Sequence, residues 1–211
     1  MDILNKRIVV TGAASGIGKA LCKAFKEAGT KSIVCVDMNI DGARETADTI
    51  GGLAVAADVS KEQDIINVIS EANELSGGID IFCSNAGILT LGDEQTSNEN
   101  WNKNWNIHVM AHVYAARKLA PEMIKRGEGY FVNTASAAGL LTHIDSITYS
   151  TTKHAAVGLA EWLAITYGRQ GIGVSVLCPQ AVKTNMTKGR ENDVAALDGM
   201  MEPETLAQEV I

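Results

Sequence analysis

The sequence predicts an α/β fold: a doubly wound parallel sheet with helices on both faces. Three observations carry that expectation. Six short apolar runs, at 7–11, 32–37, 53–57, 79–84, 130–135 and 173–178, have the length and composition of buried strands. Stretches with helical spacing, near 17–28, 40–50, 61–76, 101–126, 148–168 and 203–211, separate or follow them. A glycine-rich turn joins the first strand to the first helix. Alternating strands and helices give a parallel sheet, with right-handed crossovers. The expected strand order is 3-2-1-4-5-6, with ligand at the strands' carboxyl ends where the order reverses.

The elements follow in order. Residues 6–12 read Lys-Arg-Ile-Val-Val-Thr-Gly, and Gly12-Ala13-Ala14-Ser15-Gly16-Ile17-Gly18 follows directly. Apolar residues Ala20, Leu21, Ala24, Phe25 and Ala28 then repeat at helical spacing, and Gly29 is a stop. This strand–turn–helix order is the setting that a dinucleotide fingerprint needs. Glycines allow a tight turn and a close approach of pyrophosphate, and the helix N-terminus offers free N–H groups. Asp37 closes the second strand, where an acid accepts hydrogen bonds from ribose hydroxyls and repels a 2′-phosphate. A competing role for Asp37 is capping the helix that begins at Ile40. Ser15 and Met38 are uncharged and no Lys or Arg is placed for an extra phosphate, so NAD is favoured over NADP.

Tyr149 and Lys153 are four residues apart and share a helix face. A nearby ammonium favours a phenolate whose unperturbed pKa is about 10. Tyr149 is thus expected to act as acid/base near neutral pH, with the Ser136 hydroxyl holding a carbonyl oxygen beside it. The spacing alone is weak, since most such pairs form a solvated helix face. The glycine turn at the other end of the chain strengthens it.

Taken together, these motifs resemble the short-chain dehydrogenase/reductase family in its compact form, over about residues 5–185. Thr11-Gly12-x-x-x-Gly16-Ile17-Gly18 is similar to the family's coenzyme turn. Asp58-Val59 resembles the pair that meets adenine, and Ser84-Asn85-Ala86-Gly87 resembles the Asn-Asn-Ala-Gly segment after the fourth strand. Pro179-Gln180-Ala181-Val182-Lys183-Thr184 is similar to the Pro-Gly-x-Val-x-Thr segment near nicotinamide.

The resemblance implies a Rossmann-like fold in one NAD(P)-binding domain, 1–211. It implies catalysis by Ser136, Tyr149 and Lys153, with Lys153 also anchoring coenzyme ribose. His108 stands at the usual position of a catalytic asparagine, and Gln180 replaces a glycine. The family continues further, through another helix and a last strand. Residues 203–211 read as the start of that helix, so the final C-terminal strand is missing from the expected sheet. Residues 185–211 would cover the substrate and begin the last helix. The helices at 101–126 and 148–168 would pair subunits into a homodimer or homotetramer.

Composition bounds the rest. The 211 residues carry a net charge of −7, with 46% hydrophobic and 20% charged residues, an ordinary globular balance. That charge gives no footprint for nucleic acid or an anionic membrane. No long apolar stretch or leader pattern is present, so the cytoplasm is expected. Cys22, Cys35, Cys83 and Cys178 read as small core residues in a reducing compartment. His108 and His112 share a helix face without a third ligand, so no metal site is expected.

The function expected is reversible hydride transfer between NAD and a secondary alcohol or ketone. The walls of a mainly apolar substrate pocket would include Ala138, Leu140, Leu141, His143 and Asn185. Three alternatives stay open: an NADPH-dependent carbonyl or 3-oxoacyl-thioester reductase, a non-catalytic dinucleotide sensor, and a scaffold that binds no coenzyme.

Overall fold

The computed structural model describes residues 2–211, the side chain of Val194 apart. Six parallel strands lie in the order β3-β2-β1-β4-β5-β6. They are β1 (Arg7–Thr11), β2 (Ser32–Asp37), β3 (Leu53–Ala56), β4 (Ile81–Ser84), β5 (Gly129–Thr134) and β6 (Ile172–Leu177). Val9 of β1 lies level with Val34 of β2 and Phe82 of β4. The central strands read as unbroken apolar runs because both faces are covered.

Alternation along each strand divides the core. Ile8 and Val10 face α1 (Gly16–Glu27) and α2 (Ile40–Ile50), packing among Leu21, Phe25, Ala43 and Ala47. Val9, Phe82 and Phe131 point the other way, towards α3 (Glu62–Ser76) and α5 (Ala111–Arg126), where Ile65, Ile69, Leu119 and Met123 close the layer. The long helix α6 (Ile147–Tyr167) joins that second layer through Leu163. The short α7 (Pro203–Gln208) lies on the first face, with Ala207 buried among the α1–α2 residues.

The expected helix at 101–126 differs in a useful way. It starts earlier, at α4 (Asn98–Trp105), because the Ser97 side chain accepts a hydrogen bond from the Asn100 N–H and caps it. A π-helical turn at Asn106–Met110 then joins α4 to α5. The π turn holds His108. Residues 185–201, which have no clear sequence period, form turns pinned by a parallel bridge between Val182 and Met201.

Candidate active site

At the carboxyl ends of the strands, one cavity of about 400 Å³ runs from the glycine turn to Tyr149. The turn forms one wall. Gly12 has φ +72° and Gly16 has φ +52°, conformations that side chains rarely adopt. A Cβ on Gly12 would stand 2.9 Å from the Ala86 Cα, so the turn closes tightly on the β4 loop. Gly12, Ser15, Gly16 and Ile17 line the cavity. Gly18, the remaining glycine of the motif, does not. It sits where a Cβ would meet the Gly12 carbonyl oxygen at 2.1 Å, so its role is to let α1 press against the strand end.

The N-terminus of α1 carries no acidic residue in its first turn, and its N-cap Ser15 makes no side-chain capping bond. Free N–H groups and positive dipole therefore face the cavity, the chemistry a pyrophosphate requires. Asp37 lines the next stretch. Its carboxylate accepts from the Ala14 N–H at 3.0 Å and the Asn39 N–H at 2.9 Å. The cap of α2 is Asn39, which accepts from the Gly42 N–H, so the competing role for Asp37 falls away. Asp58 and Val59 follow on the same wall. Burial opposes ionisation of Asp58, but the Ser60 hydroxyl and N–H, with Lys61, outweigh it and hold the carboxyl below its ordinary range.

Asn85, Ala86 and Gly87 form the floor. The Asn85 amide donates to the Thr11 carbonyl at 3.0 Å and accepts from the Thr134 hydroxyl at 3.2 Å, which ties β1 to β5 across β4. Thr11 in turn accepts from the Asn85 and Ala86 N–H groups. Pro179, Val182 and Thr184 close the opposite side. These residues fit a dinucleotide: a glycine turn, an open helix end, the Asp37 carboxylate and an uncharged floor share one cavity.

Ser136, Tyr149 and Lys153 meet at the far end of that cavity. The Ser146 hydroxyl caps α6 by accepting from the Tyr149 N–H. Lys153 is buried, with 2% of its surface exposed, and donates to the Thr134 carbonyl at 2.8 Å. Its Nζ lies 5.5 Å from the centroid of the Tyr149 ring. Desolvation pulls the ammonium down to about 7. Tyr149 differs from the expectation of a lowered pKa: burial pushes the phenol up, and the Ser136 hydroxyl only partly opposes this. A lysine whose charge is opposed by burial is a weaker cation than spacing alone suggests.

His108 does not line the cavity. It is fully buried behind the floor, where its Nε2 accepts from the Ile88 N–H at 3.1 Å. Gln180 lines the cavity, and its amide reaches the Ala195 carbonyl at 3.3 Å and Asp198 at 3.4 Å, so it ties the Pro179 segment to the turns beyond. Of the expected substrate walls, Asn185 lines the cavity and the His143 ring lies 6.2 Å from that of Tyr149. Ala138 is buried, while Leu140 and Leu141 are exposed and lie outside the lining.

Sequence reasoning missed Thr134 and Thr152 as partners, and Ile107, Met186 and Thr187 as lining residues. Thr152 left no distinct trace, because Thr148, Ser150 and Thr151 put other hydroxyls on the same stretch of helix. Among the described residues, no three His, Cys, Asp or Glu side chains gather to hold a metal ion.

Residues 6–195 match the profile of the short chain dehydrogenase family. The chain belongs to that family. Among short-chain dehydrogenases, it is 31% identical to meso-2,3-butanediol dehydrogenase of Serratia marcescens, over 96% of this chain and 84% of that one. It is 32% identical to an NAD-dependent glycerol dehydrogenase of Listeria innocua, over 89% of this chain and 74% of that one. The crystal structure of 3-ketoacyl-(acyl-carrier-protein) reductase from Brucella melitensis, complexed with NADH, superposes with a TM-score of 0.92 at 29% identity. It covers 99% of this chain and 90% of that structure. As a short-chain dehydrogenase the chain is an oxidoreductase of a family that binds nicotinamide dinucleotides, with relatives named as butanediol and glycerol dehydrogenases.

Proposed function

We propose that this protein is an NAD-dependent dehydrogenase that interconverts a secondary alcohol and a ketone, with Tyr149 as acid/base. One observation carries the reading: Ser136, Tyr149 and Lys153 open into the same cavity as the glycine turn and Asp37. Bound there, the nicotinamide cofactor supplies or accepts the hydride. The α1 N-terminus and glycine turn hold the pyrophosphate, Asp37 the adenosine ribose, and Asp58 and Val59 flank adenine. Asn85, Ala86, Gly87, Pro179, Val182 and Thr184 shape the nicotinamide end. Tyr149 gives or takes the proton at the substrate oxygen, and Ser136 orients that oxygen. Lys153 anchors ribose and biases the phenol towards ionisation whenever it carries its own proton.

Support for NAD over NADP is the carboxylate of Asp37 on the adenosine side, with no basic side chain in the cavity lining beyond Lys153. The whole chain acts as one dinucleotide-binding domain; residues 185–211 cover the substrate with their turns and begin the last helix at α7, which packs on α1. No helix among the described residues is long and apolar enough to cross a membrane, and the four cysteines are free. A cytoplasmic location is part of this proposal.

An NAD(H)-linked screen of neutral secondary alcohols and ketones tests the function, with NADP(H) in parallel. Turnover with NAD and at least one alcohol is expected. Tyr149→Phe keeps the ring but removes the transferable proton, so it should lose about 100-fold or more in turnover while still binding coenzyme. Near-normal rates in that variant would sink the assignment. Coenzyme binding without turnover across the panel would leave a sensor, and no binding at all a scaffold.

A further inference from the structure

The π-helical turn carries a side chain that the chemistry above does not use. His108 is completely buried, and both its ring nitrogens are engaged. Nε2 accepts from the Ile88 N–H at 3.1 Å, so that nitrogen bears no proton. Nδ1, 2.8 Å from the Thr152 hydroxyl oxygen, must then carry the proton and donate it. Thr152 passes its own hydroxyl hydrogen to the Thr148 carbonyl at 2.7 Å. The chain of bonds has one direction, from the β4 loop through the imidazole into α6. Only the neutral Nδ1–H tautomer completes it.

We propose that His108 is a positioning residue: an uncharged clamp that locks the Gly87–Ile88 floor to the turn of α6 bearing Tyr149. This rests on the dehydrogenase function proposed above. Thr152 lies one helical turn beyond Tyr149 and directly before Lys153, so the clamp grips α6 between the two. The His108 ring also stands edge-on to Tyr149, with centroids 5.4 Å apart and planes at 89°. A Cβ on Gly87 would meet His108 Nε2 at 3.6 Å and Lys153 Nζ at 3.7 Å, so floor, clamp and lysine are in contact. Further stitches fix the same loop: Asn104 of α4 donates to the Thr90 hydroxyl at 2.9 Å, and the Ser146 hydroxyl donates to the Thr90 carbonyl at 2.5 Å.

The surroundings keep the imidazole neutral. Lys153 from α6 and His112 from α5 are the titratable groups whose charge reaches it, and no carboxylate does. Burial first, then the neighbouring Lys153 and His112, hold His108 well below its ordinary range. It therefore stays uncharged near neutrality, with its one ring proton held on Nδ1, and acts by geometry alone.

Nitrogen-15 NMR of the labelled wild-type protein reads the clamp without any assay. The Nδ1–H tautomer is expected, with no titration between about pH 5 and 8. An Nε2–H ring, or one that titrates in that window, would overturn the proposal. Kinetics supply the second arm. His108→Ala should lower kcat about 10- to 100-fold, the scale of a misplaced catalytic group, with the limbs of its pH profile unmoved. His108→Asn retains a polar atom on the Thr152 side and His108→Gln one on the Ile88 side, so each should recover part of the loss. Thr152→Val should cost little more in the His108→Ala background than that change does alone. A vanished pH limb in His108→Ala would mean acid/base work, and full rates would mean no role; either defeats the clamp. Should His108→Ala fail to fold, the NMR result on the wild type decides. A wrong tautomer in an active enzyme overturns this proposal alone. The right tautomer in a protein that turns over no alcohol or ketone overturns the dehydrogenase reading, and the positioning role with it.

Discussion

The environment of the phenol in the cavity dictates its pH behaviour. Tyr149 is pushed above its ordinary range by burial, so the proton-loaded phenol dominates at neutral pH. That form suits ketone reduction, where a proton must be given. Alcohol oxidation needs the ionised phenol and should accelerate as pH rises, whereas reduction should hold steady near neutrality and fall in alkali. Rates in both directions from about pH 6 to 10 check this, because a single acid/base reverses its role with direction; oxidation that slows with rising pH would contradict it. Asp37 makes a second prediction. Its carboxylate already holds the Ala14 and Asn39 N–H groups, so it is oriented before any ribose arrives. Asp37→Ala should weaken NAD about 10-fold or more, by loss of a charged hydrogen-bond acceptor, and narrow the preference over NADP. Unchanged discrimination in a coenzyme titration would show that the carboxylate serves only the turn.

At the scale of elements, the strand–turn–helix unit at the start of the chain forms one wall of the cavity proposed to hold coenzyme. Gly18 is the test. It has an ordinary helical backbone, so only space distinguishes glycine from alanine there, and the Gly12 carbonyl occupies that space. Gly18→Ala should push α1 off the strand end, costing about 1–3 kcal/mol as overpacking does. Coenzyme affinity should fall with it, measured by denaturant unfolding and by titration on the same samples. A variant of wild-type stability and affinity would mean that the helix tolerates a shift. The α4–π–α5 rod shows what periodicity misses. Its apolar spacing marks a helix, but nothing local marks the Ser97 cap or the π turn at Asn106–Met110, which sets His108 between the β4 loop and α6.

For the whole molecule, the open question is assembly. Helix α6 leaves Trp162 at 55% and Ile165 at 82% exposed, a large apolar surface for one face. Pairing through this helix and the α4–α5 rod would cover it, so Ile165→Asp should convert a dimer or tetramer into smaller species by light scattering. A wild-type monomer would refute that pairing. Strand order and the layer on each side were legible in the chain because alternation of buried strands and amphipathic helices permits few right-handed solutions. The glycine turn, Asp37, Ser136, Tyr149 and Lys153, singled out by residue type and local spacing, come together in one cavity. Other features had no local signature. Lys153 bonds to the Thr134 carbonyl, His108 to Ile88 and Thr152, and Gln180 to Ala195 and Asp198. The sequence by itself determined which groups the protein has for chemistry and the frame that carries them. Only the tertiary structure decided their charge states and partners, because desolvation and hydrogen bonding depend on what distant segments bring alongside.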